Sequence, residues 1–72
     1  MHESEYVKIF TGSIVITKLI TSRLEEIGIT PVVKESQILG ASLDGSQEIY
    51  VREDELSQSV PIVEEVRSTM SA

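Results

Sequence analysis

The sequence predicts a two-layer α+β sandwich with the element order βαββα. Three observations predict it. Tyr6 to Thr11 alternates in the period of two that marks a strand, and Ile14 to Ile27 repeats its apolar residues at helical spacing. A second strand-then-helix pattern follows from Glu48 to Ser68. The 72 residues make one small domain, read here as a tail at 1–4 and a single folded unit at 5–70.

In the first strand, about Glu5 to Thr11, Val7 and Ile9 are assigned to the face that the helices cover. Tyr6, Lys8 and Phe10 then belong to the opposite face, which two helices on one side leave uncovered. Gly12-Ser13 turns the chain. Ser13 is a good N-cap, because its side-chain oxygen accepts from an amide in the first turn. From Ile14 onward Val15, Ile16, Leu19, Ile20, Leu24 and Ile27 fall within one arc of about 180°. Arg23 falls inside the same arc. A cation there has to reach solvent or meet a carboxylate.

Gly28 suits the left-handed position just past a helix, Ile29 is placed to close on Leu24, and Pro31 prevents continuation. Val32 and Val33 carry the second strand to about Glu35. The stretch from Ser36 to Gln47 is the least determined: Asp44-Gly45 signals a tight turn, while Ile38, Leu39 and Leu43 are apolar residues in a loop-like setting. They either tuck under the sheet, extend a hairpin or form a contact patch. Ile49 and Val51 define the third strand. Glu53-Asp54-Glu55 is an acidic helix start, which favours the N-terminal end of the helix dipole. Leu56, Val60, Val63, Val66 and Met70 make the second helix's stripe, with Pro61 expected to kink or divide it near Ser59.

A right-handed crossover and an antiparallel hairpin give strand order 1-3-2 with both helices on one face. That is a ferredoxin-like sheet lacking its last strand. It leaves the first strand's outer edge as a template for association, with Lys8 as its guard.

For chemistry the sequence offers little. There is no cysteine, which removes disulfide, thiolate-metal and cysteine-nucleophile readings. The net charge of −6, with Lys8, Lys18, Arg23, Lys34, Arg52 and Arg67 scattered along the chain, argues against a nucleic-acid partner. Ile14-Val15-Ile16 is the longest aliphatic run, far short of the ~20 residues of a membrane span. MHESEY lacks the character of a signal peptide, so a cytoplasmic protein without membrane attachment is expected. His2 is the sole histidine, and Ser13 lacks the flanking pattern of a nucleophile turn. Consecutive carboxylates at 53–55 project about 100° apart on a helix and do not converge on a metal. No catalytic residue, metal or cofactor is expected.

Tyr6 to Ser13, LEEIGI (Leu24 to Ile29) and IYVREDEL (Ile49 to Leu56) resemble the small prokaryotic signal-transducing protein family, whose function is unknown. The resemblance spans about residues 5–68. It implies a ferredoxin-like domain related in fold to the nitrogen regulatory PII proteins, which bind small effectors and form trimers. It carries over no catalytic residue. The function expected is therefore a non-catalytic regulatory or protein-interaction module, binding a protein partner or itself as a homo-oligomer. Its surface is expected at Tyr6, Lys8, Phe10, Ile38, Leu39 and Leu43. The alternative is a small-molecule or anion sensor at Gly12 and Ser13, where helix amides point outward.

Overall fold

A computed structural model describes residues 5–35 and 46–70. The elements run β1 (Tyr6–Gly12), α1 (Ile14–Glu26), β2 (Val32–Glu35), β3 (Gln47–Arg52) and α2 (Leu56–Met70), with one 3-10 turn at Glu53–Glu55. The sheet is antiparallel throughout, in the order β1-β3-β2, and both helices pack on one of its faces. This is the predicted βαββα sandwich.

Local chemistry accounts for the boundaries. The Ser13 hydroxyl accepts from the Ile16 amide at 3.4 Å and caps α1. At the other end Gly28, with φ of 89°, takes the left-handed position. Its amide bonds the Glu25 carbonyl, and the Ile29 amide bonds the Leu24 carbonyl, both at 3.0 Å. Those two bonds satisfy carbonyls that a helix end leaves free, and Leu24 and Ile29 are both buried beside them. A further backbone bond, from the Glu53 amide to the Glu5 carbonyl at 2.8 Å, ties the end of β3 to the start of β1. The Glu55 carboxylate accepts from the Arg52 amide at 3.0 Å and secures the entry to α2.

The core is Ile20, Leu24, Ile29, Ile49, Val51, Val63 and Val66, with Ile9, Phe10, Ile16, Leu56 and Ile62 packed around it. Central strand β3 supplies its fully buried members, Ile49 and Val51, because it is flanked by a strand on each side and covered by helices.

Two expectations are corrected and a third is narrowed. First, β1 does not alternate along its whole length. Val7 pairs with Val51 and Lys8 with Tyr50, but Phe10 pairs with Ile49, so Ile9 is the extra residue of a β-bulge. Directly paired residues share a face. Phe10 is thereby turned onto the helix-covered side, against the core. Its ring also lies over Gly12, where an added Cβ would stand 2.6 Å from a ring carbon. A side chain at position 12 would therefore force the ring that the bulge re-aims to shift.

Second, the apolar arc of α1 is wider than its buried face. Thr17, Ile20 and Leu24 are buried, whereas Val15 is 70% exposed and Leu19 and Ile27 are exposed too. Val15 and Thr17, two residues apart on a helix, lie about 160° apart around its axis. With Thr17 inside, Val15 faces out.

Third, of the kink or division expected at Pro61, division does not occur: α2 is one α-helix through Pro61. The change of helix type comes earlier, between Glu55 and Leu56. Pro61 is exposed, so its ring meets solvent rather than the packed side. Ser59 is buried and its hydroxyl has no hydrogen-bond partner among the described residues.

Candidate interaction surface

Both helices lie on one face of the sheet, and no described element covers the other. Pairing places its side chains in three rows. Tyr6 stands opposite Arg52; Lys8, Tyr50 and Val32 form the second row; Thr11, Glu48 and Lys34 form the third. Tyr50 occupies the middle, with Arg52 and Glu48 two residues away along its strand and a lysine from each neighbouring strand.

These groups interact. The Tyr50 hydroxyl donates to Glu48 Oε1 at 2.8 Å, and Lys8 Nζ lies 3.7 Å from Glu48 Oε2. Lys34 Nζ stands 5.0 Å from the centre of the Tyr50 ring, within cation–π range. The Arg52 guanidinium reaches past the strand end to Asp54, with contacts of 3.4 and 3.2 Å. Asp54 raises the pKa of Arg52, and the hydrogen bond to Glu48 raises that of Tyr50. Both side chains hold their protons at neutral pH.

The charge presented to solvent on this face is mainly cationic. Lys8, Lys34 and Arg52 are three of the six basic residues in a chain of net charge −6. The side chain of Lys8 is 50% exposed, while that of Glu48, the carboxylate within the described rows, is only 19% exposed; Asp54 meets Arg52 at the strand end. Shielding follows from position: Glu48 lies on the central strand and is engaged by both Lys8 and Tyr50. Glu25, Glu26, Glu64 and Glu65 are exposed on the helices instead. Lys18, Arg23 and Arg67 are exposed among them, so the helices come close to charge balance, while the described sheet face carries more cations than anions.

Of the residues singled out from sequence, the structure brings Tyr6 and Lys8 together on the uncovered face and sends Phe10 to the other. Tyr6 is 50% exposed. Ile38, Leu39 and Leu43 lie outside the described residues. At Gly12 and Ser13, the serine hydroxyl is used by the helix cap and the Phe10 ring crowds the glycine. Arg23 meets a carboxylate: its guanidinium lies 3.2 Å from Glu65 on α2. Among the described residues, no group of three or more His, Cys, Asp or Glu side chains could hold a metal ion, and no helix is long and apolar enough to cross a membrane.

Sequence reasoning missed Lys34, Glu48, Tyr50 and Arg52 as members of one surface. The signal was available only in part. Glu48, Tyr50 and Arg52 alternate with the apolar Ile49 and Val51, but the register that sets Lys34 and Lys8 beside them is a long-range fact. Also missed was a second exposed row on α1, formed by Val15, Leu19 and Ile27 with Arg23 between them.

The chain matches no family model, no curated protein and no solved structure. The physical arrangement of the surface is therefore the ground for a functional reading.

Proposed function

We propose that this domain is a non-catalytic regulatory or protein-interaction module, and that it engages a protein partner or a second copy of itself through the uncovered sheet face. The observation that carries this reading is the clustering of Tyr6, Lys8, Lys34, Tyr50 and Arg52 on one side of an acidic domain. Tyrosines and arginine supply rigid contact area and directed hydrogen bonds, the residue types that anchor protein contacts. Membership in the small prokaryotic signal-transducing protein family, proposed from the sequence resemblance, agrees with such a role and with a cytoplasmic setting.

The face is favoured over the outer edge of β1. Although no described strand covers that edge, it carries the bulge at Ile9 and Lys8, two features that discourage edge-to-edge pairing.

Photo-crosslinking tests the reading. A benzoylphenylalanine at position 6, irradiated in cells, is expected to give a discrete crosslinked product. The same residue at position 26, on the helix side, is expected to give none. A product of twice the chain's mass identifies a second copy, and any other discrete mass another protein. Crosslinking from position 15 with none from position 6 would move the interaction to the exposed row of α1 and sink the sheet-face reading.

A further inference from the structure

We infer that the occupant of the uncovered sheet face is a carboxylate-rich segment of a partner protein, lying over Tyr50 between Lys8 and Lys34. The inference rests on the interaction reading above and adds the partner's chemistry. Lys8 is on β1 and Lys34 on β2, the two strands flanking β3, so their backbones lie ~10 Å apart with the Tyr50 ring between them. A chain crossing the strands therefore meets a cation, an aromatic surface and a second cation in succession.

The local charge selects the occupant. The head groups of Lys8 and Lys34 on either side of Tyr50 are accessible, whereas Glu48 is screened by its bonds to Lys8 and Tyr50. Lys34 rests on the Tyr50 ring, whereas Lys8 and Arg52 are engaged by Glu48 and Asp54. Among the described cations of this face, Lys34 is the one an incoming carboxylate meets at least cost, since no described ion pair has to be broken to reach it. Arg52 contributes less, because Asp54 already occupies its guanidinium at 3.2 Å.

Two competing occupants fit the same surface less well. A second copy would bring its own Lys8 and Lys34 with it if the two faces met symmetrically, setting cations against cations. A single-stranded nucleic acid would stack on Tyr50 and Tyr6, but it offers a phosphate at every nucleotide to a face with three cations, two already ion-paired.

The test is an amide-shift titration of the full chain with a hexaglutamate peptide, with hexaglutamine and oligothymidylate as comparison ligands. Hexaglutamate is expected to shift amides of β1, β2 and β3, with the effect lost as salt is raised. Lys34→Glu is expected to weaken binding about tenfold while leaving the dispersed spectrum of the fold intact. No shift with hexaglutamate, shifts spread over the helices, equal binding of hexaglutamine, or tighter binding of oligothymidylate would each overturn the inference. If crosslinking from position 6 succeeds while hexaglutamate fails, only the acidic-partner chemistry falls. If both fail, the interaction reading falls with it.

Discussion

The two sides of this sheet are built from the same three strands and obey different rules. On the helix side Ile49 and Val51 of β3 are fully buried, and Ile20, Leu24, Val63 and Val66 close over them. On the other side, the alternate residues of the same strand, Glu48, Tyr50 and Arg52, form polar contacts with Lys8, Lys34 and Asp54. One side holds the fold together by excluding water. The other holds charged and aromatic groups in register while leaving them reachable. The buried core and the exposed polar cluster are thus separated by a single residue step along β3.

The largest test of that separation is to damage each side in turn. Ile49→Ala or Leu24→Ala removes buried methyl groups and leaves a cavity, costing ~2–5 kcal/mol in chemical denaturation. Tyr6→Ala, on the uncovered face, is expected to change stability by no more than ~0.5 kcal/mol. Equal losses would mean that the two sides are not distinct in role.

Next in size is the bulge, which decides the side on which Phe10 lies. Gly12→Ala sets a methyl 2.6 Å from the Phe10 ring and is expected to cost ~1–3 kcal/mol. In the Phe10→Ala background the same change is expected to cost much less. A double-mutant cycle showing no coupling would remove the ring from Gly12.

The helix side also has a weak point. The hydroxyls of Thr17 and Ser59 are buried without a partner among the described residues. Thr17→Val and Ser59→Ala each remove a polar atom that pays for desolvation without a bond in return, so each is expected to raise stability by ~1 kcal/mol. A loss in both would show that these hydroxyls are bonded.

Smaller still is the pair that links the helices. Arg23 and Glu65 meet at 3.2 Å with both side chains largely exposed, so Arg23→Ala is expected to cost under ~1 kcal/mol and to lose that cost at high salt. On the uncovered side the corresponding probe is a titration. Tyr50 gives up its proton later than an ordinary tyrosine, whose pKa is 10.0, because its hydroxyl bonds Glu48. The unfolded chain therefore loses this proton first as pH rises. The bond's contribution is complete below the unfolded pKa and is lost as pH climbs through the folded one. Ultraviolet titration should show the Tyr50 transition moving down in Glu48→Gln; an unmoved transition would break the pair.

Much of the fold was legible because its signals are local. Ser13, Gly28, Pro31 and the acidic turn at 53–55 act within a few residues of where they stand, and the structure uses the serine and glycine as their chemistry dictates. Ile49 and Val51 were legible by alternation. The candidate surface was legible only at Tyr6 and Lys8. Phe10 was placed wrongly because a bulge shifts the alternation by one and leaves no mark in composition. The arc on α1 was read too wide because apolar spacing does not say how much of a helix its neighbours will cover.

The sequence by itself determined the order and ends of the elements, the topology and the absence of cysteine chemistry, since caps, periods and chain handedness are short-range effects. Tertiary structure decided which of two apolar rows on α1 is buried, that Glu65 receives Arg23, that Phe10 turns inward, and that Lys8, Lys34 and Arg52 surround Tyr50. Those outcomes depend on register and packing between residues far apart in the chain. A one-residue step at Ile9, set by pairing with β3, was enough to exchange the sides.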